Sequence, residues 1–155
     1  MEYTCKMLKM LSNLSGNRIH EIKLVSNEIG GYDVHCTYYV KGSIKVEIVG
    51  ILFEEEKNSF IEKLSEHGWY TLYKGIAGAS RRYQERYFHV TEIERINFRD
   101  SAIHKIGHAY YILEIGYKNA IICNTCVIFN DPINQTQQAI DSFEKAGRFD
   151  LLLKL

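Results

Sequence analysis

The sequence predicts an α+β fold: a mainly antiparallel β-sheet of about seven strands with three helices, in the order α-β-β-β-α-β-β-β-β-α. Three observations carry this expectation. Apolar residues recur at every second position over consecutive runs, short polar turns join those runs, and the helical segments carry their own stop signals. Strands arriving in hairpin-linked sets favour antiparallel pairing over the alternation that builds parallel sheets.

Each element has its own warrant. Glu2 to Leu14 places Met7, Leu8, Leu11 and Leu14 near one helical face, and Ser15-Gly16-Asn17 stops that run. From Arg18 to Val25 the period becomes two, with Ile22 and Leu24 on one face, before the turn Asn27-Glu28-Ile29-Gly30-Gly31. Tyr32, Val34, Cys36, Tyr38 and Val40 then oppose Asp33, His35, Thr37 and Tyr39. After Lys41-Gly42-Ser43, the residues Ile44, Val46 and Ile48 oppose Lys45 and Glu47. From Val49 to Phe53 both faces are apolar, which predicts cover on both sides there.

Glu54-Glu55-Glu56 places acid where a helix dipole favours it, and Ser59-Phe60-Ile61-Glu62 spells a capping box, so the helix begins at one or the other and ends at Gly68. Trp69 to Lys74 reads as a strand and Gly75 to Ser80 as a loop. Arg81 to Arg99 reads as one long strand because Tyr87, Phe88 and Val90 favour extended backbone. Asp100 to Gly107 is a loop; His108–Tyr117 and Ala120–Phe129 form a hairpin across Lys118-Asn119. Asp131 and Pro132 suit the cap and first position of the last helix, which Gly147 ends. The tail, Phe149 to Leu155, is apolar enough to require packing on the domain, a sheet edge or another chain.

Composition bounds the function. At 155 residues, with 46% apolar side chains and 11 Tyr, 7 Phe and one Trp, the chain suits a single globular domain over 1–155 and excludes disorder. Apolar runs such as Ile48–Phe53 are too short to span a bilayer. The opening residues lack a signal-peptide layout, and the four cysteines then fit a reducing, cytoplasmic setting. Nineteen basic residues balance nineteen acidic ones, so no global field draws the chain to nucleic acid or anionic lipid.

Chemical motifs are sparse. Phosphate-loop, dinucleotide and nucleophile-elbow patterns are absent, and Gly75 to Ser80 lacks the lysine that a phosphate loop requires. Cys123-Asn124-Thr125-Cys126 lies within a predicted strand, where residues three apart face opposite sides, so these cysteines are expected to fill space. His104 and His108 have a chelating spacing but no adjacent glutamate, and Gly107 weakens the helix they would need. No metal or other cofactor is expected. A small enzyme would have to combine a histidine with Asp33, Cys36 or another carboxylate.

The most distinctive feature is a clustering. Five of the seven arginines, Arg81, Arg82, Arg86, Arg95 and Arg99, fall within nineteen positions and are interleaved with Tyr83 and Tyr87. Guanidinium and phenol groups at near-neutral local charge match the composition of protein-binding surfaces. These seven residues are the candidate partner-binding set, and the chain is expected to be a non-catalytic inhibitor or regulator of another protein, with a nucleic-acid-processing enzyme as one such partner. The proline-poor composition, rich in Ile, Lys, Asn and Tyr, suggests an AT-rich phage or mobile-element source and an anti-CRISPR-like role. The same segment could instead bind nucleic acid directly, with arginine on phosphate and aromatics on bases. No membrane partner is expected, and the apolar tail offers a homodimer contact.

Overall fold

The computed structural model describes residues 19–40, 43–77, 81–100, 111–117, 124–129 and 132–155. The expected first helix, the Lys41-Gly42 and Lys118-Asn119 turns, Gly78 to Ser80, His104, His108, Cys123 and the Asp131 cap lie outside these residues.

Eight strands are described: β1 (Ile19–Ser26), β2 (Gly31–Val40), β3 (Ser43–Phe53), β4 (Trp69–Ala77), β5 (Arg82–His89), β6 (Ile93–Asp100), β7 (Tyr111–Tyr117) and β8 (Asn124–Phe129). Three α-helices accompany them: α1 (Lys57–Glu66), α2 (Pro132–Lys145) and the short α3 (Phe149–Leu152). The fold is α+β with mainly antiparallel sheet, as the alternation pattern predicts. Strands β3-β2-β1-β5-β4 form one sheet and β6-β7-β8 another. The chain divides into two compact units, residues 1–70 with 74–89, and residues 71–73 with 90–155.

In the first unit, Asn27 makes the β1–β2 turn by accepting the Ile29 and Gly31 N–H groups on its side-chain oxygen, at 3.2 and 2.9 Å. The turn sets a register that pairs Leu24 with Val34 and Ile22 with Cys36. One face of the sheet therefore gathers Ile22, Leu24, Tyr32, Val34, Cys36, Leu52 and Tyr87 in a core with Phe60 and Leu64 of α1 and with Trp69. Full burial of Phe60 and Leu64 contributes about 1.5–3 kcal/mol each.

The start of α1 falls between the two expected positions. A 3₁₀ turn at Glu54–Glu56 precedes Lys57, and the Phe53 N–H donates to Glu56 Oε1 at 3.1 Å. Gly68, at φ +87°, ends the helix where the sequence places its stop.

Strand β3 departs from expectation. A bulge interrupts its pairing with β2, because Val34 opposes Gly50 while His35 opposes Ile48, leaving Val49 as the extra residue. The bulge reverses the alternation, so Val49 and Leu52 are buried while Val46, Ile48, Ile51 and Phe53 share the opposite face. Those four are 51–58% exposed, so the doubly apolar end of β3 is covered on one face only. On β1 and β5 the same side also sequesters Glu21, Val25 and Phe88, while Lys23, Arg82 and Arg86 there are half-buried.

The single long strand expected from Arg81 to Arg99 is two strands in different sheets, separated by a 3₁₀ turn at Val90–Glu92. The physical reason lies in the second unit. Arg148 donates to the carbonyls of Val90 and Ile93, at 2.8 and 2.9 Å, holding the turn that breaks the run. Arg148 itself follows Gly147, whose left-handed conformation ends the α2 segment as predicted. Helix α2 buries Ala139 and Phe143, and Ser142 Oγ donates to the Thr71 carbonyl. The tail forms α3; Leu151 is buried, and Lys154 donates to the Glu94 carbonyl at 3.0 Å.

Candidate functional site

Alternation along β5 separates the predicted site residues. Tyr83 and Tyr87 point to the α1 side of the sheet with Glu85, while Arg82 and Arg86 point to the opposite side. Arg81 precedes the strand, exposed and at φ 52°. Arg95 lies on β6 in the second unit, also exposed, opposite Gly116 of β7; a Cβ added at Gly116 would stand 2.6 Å from Arg95 Cγ. The side chain of Arg99 lies outside the described residues. Four of the seven candidates thus lie on β5 and two on β6 of the other sheet, with Arg81 just before β5.

On the α1 side, Glu85 is fully buried and saturated. It accepts the Tyr87 hydroxyl at 2.8 Å and the Tyr83 hydroxyl at 3.0 Å, and it pairs with the Lys57 ammonium. Lys57 also donates to the Tyr32 hydroxyl at 3.2 Å, and its ammonium lies 4.7 Å from the Tyr32 ring centre and 5.4 Å from that of Tyr83. Burial pushes the Tyr83 phenol up to about 12, reinforced by the Glu85 carboxylate. The same causes, burial first, push Tyr87 higher still. Burial opposes the charge on Lys57, but its hydrogen bonds to Glu85 and Tyr32 outweigh that and hold the ammonium above its ordinary value. This cluster fastens the start of α1 to the sheet. Its phenols and the Lys57 ammonium hold their protons to high pH.

The opposite side carries a different arrangement. Lys23 of β1 lies between His35 of β2 and Arg86 of β5, and Ile48 of β3 completes the row beyond His35. Arg86 donates through Nε to Glu21 at 2.9 Å and lies 5.8 Å from the Phe88 ring centre. Arg82 donates to the Ser26 carbonyl at 2.6 Å and reaches Asp33 at 3.5 Å. Asp33 also accepts from Asn27 at 3.2 Å. The His35 imidazole is held below its ordinary pKa, first by burial and then by Lys23. Cys36 is adjacent in sequence but on the other face, buried in the core, so it does not join His35 and Asp33 as a nucleophile pair.

Lys57, Glu85, Glu21 and Lys23 are not prominent in the sequence. Glu85 had one visible signal, its place between Tyr83 and Tyr87 at a spacing of two, which puts a carboxylate and two phenols on one strand face. Nothing local marks Lys57, which joins the cluster by folding across 28 residues. Among the described residues no group of three or more His, Cys, Asp and Glu side chains is arranged to hold a metal ion, and no helix is long and apolar enough to cross a membrane. No family model matches the chain, and no curated protein or solved structure shows significant similarity to it.

Proposed function

We propose that this chain is a non-catalytic binding protein, of inhibitor or regulator type, that docks on another protein through the side of the five-stranded sheet carrying Val46, Ile48, Ile51 and Phe53. The observation behind this reading is their common exposure: four large apolar side chains stand more than half in water along one strand. Contiguous apolar surface of this kind marks interaction sites on soluble proteins. Arg82 borders the row with its side chain 40% exposed, so an arginine flanks an apolar centre as it does in protein interfaces. Of the Arg/Tyr set, Arg82 is the contact residue in this reading. Arg86 supports the surface from within, and Tyr83 and Tyr87 hold the strand from the other side.

The test compares capture of host protein by three forms of the full chain. Wild type and Arg95→Ala should retain the same cross-linked partner, whereas Ile48→Asp with Phe53→Asp should lose it at an unchanged melting temperature. Retention by the β3 variant would refute the reading. Oligonucleotide binding that weakens steeply between low and moderate salt, and survives the β3 variant, would replace it with nucleic-acid recognition.

A further inference from the structure

Resting on that docking reading, we infer that the segment of the partner seated on this surface is an acidic amphipathic α-helix. Two features of the surface specify its chemistry. The first is charge. Glu21 is taken by Arg86 and Asp33 by Asn27 and Arg82, whereas Lys23 has no carboxylate partner among the described residues. Of the charged side chains that β1, β2 and β5 place on this face, Arg82 and Arg86 are matched by Asp33 and Glu21, and Lys23 is the surplus.

The second is distance. The apolar row lies on β3 and Lys23 on β1, two strand spacings away, or about 10 Å. An α-helix with its side chains is about 10–12 Å across. Laid along β2, it rests an apolar stripe on Ile48, Ile51 and Phe53 and turns its adjoining flank toward Lys23 and Arg82. A carboxylate on that flank meets the surplus ammonium; a lysine there meets like charge. A nucleic-acid strand would satisfy Lys23 and Arg82 but leave the apolar row against a phosphate backbone.

The probe is a fluorescein-labelled peptide of about 18 residues, or five helical turns, with leucine along one stripe, glutamate on the adjoining flank and alanine elsewhere. A second peptide replaces each glutamate by lysine, and a labelled oligothymidylate serves as the nucleic-acid probe. Anisotropy titrations of the full chain should show the glutamate peptide binding at least about tenfold tighter than the lysine peptide. Lys23→Glu should remove or invert that preference at unchanged circular dichroism, Lys23→Gln should reduce it, and Ile51→Asp should weaken binding of the glutamate peptide. Equal or tighter binding of the lysine peptide overturns the inference, as does glutamate-peptide binding indifferent to Lys23→Glu, or tighter binding of the oligothymidylate. If the glutamate peptide fails to bind while the β3 variant still loses its captured protein, the docking surface stands and the acidic helix falls. If the β3 variant keeps its captured protein, the docking reading itself falls.

Discussion

At the scale of single residues, the balance between burial and saturation decides what each charged group contributes. Glu85 is withdrawn from water, yet two phenols and an ammonium complete its hydrogen bonding, so the cost of burial is offset within the cluster. Truncating one member exposes that cost. Glu85→Ala is expected to lose about 3–5 kcal/mol in urea denaturation, because Lys57 and two hydroxyls lose their acceptor together. Combining Glu85→Leu with Lys57→Met should cost less than Glu85→Ala alone, since no uncompensated charge remains; a double variant as unstable as the single one would show that packing, not charge, dominates there. His35 gives a second residue-level prediction. Its folded pKa lies below the unfolded value of 6.5, so the unfolded chain binds the proton more readily. The stability contributed by its neutral form is present above pH 6.5 and is lost as pH falls from there through the lower folded value. Around it stand Lys23 and Arg82, which resist its protonation, and Asp33 and Glu21, which favour it. His35→Gln should flatten the fall in melting temperature on acidification relative to wild type, and parallel pH profiles would remove His35 from the account.

At the scale of elements, the instructive features are a bulge and a break. The period-two pattern from Tyr32 to Val40 is legible because a half-buried strand records its buried face in its own residues. The helix stops at Gly68 and Gly147 are legible because a left-handed cap is a local demand. The β3 bulge is not legible: Val49 to Phe53 is apolar at nearly every position, so a shift of one residue leaves the pattern looking the same. Nor is the break at Val90–Glu92, where strand-favouring residues flank a turn held from Arg148, more than fifty residues away. The clustering of arginine with tyrosine is legible as composition, but its division between two faces depends on a register that Ile22 and Leu24 supply from β1. Arg148→Ala leaves the Val90 and Ile93 carbonyls without that donor, and a charged hydrogen bond of this kind is worth about 1.5–3 kcal/mol. The expected result is faster hydrogen exchange across Val90–Ile96 and a loss of that order in stability, with Arg148→Lys restoring only part of it because an ammonium lacks the guanidinium fork. Unchanged exchange in Arg148→Ala would mean that the turn is held by its own residues.

At the scale of the whole molecule, the tail carries a surface feature that neither the core nor the proposed docking surface absorbs. Phe149 and Leu153, one helical turn apart at the end of the chain, are 63% and 91% exposed, while Leu151 between them is buried. The tail therefore anchors itself through Leu151 and leaves two large apolar groups in water. The formal net charge of zero at pH 7 adds no general repulsion between copies. A symmetric contact between two such tails would remove apolar surface at little electrostatic cost, so the chain is expected to self-associate through this segment. Sedimentation velocity over about a hundredfold concentration range should show the weight-average coefficient rising toward that of a dimer. Phe149→Ser with Leu153→Lys should abolish the rise at an unchanged melting temperature, since neither side chain is buried. Ile48→Asp with Phe53→Asp should leave it in place. Association that disappears in the β3 variant but persists in the tail variant would move the self-contact to the sheet and make a second copy a competitor for the surface assigned to the acidic helix.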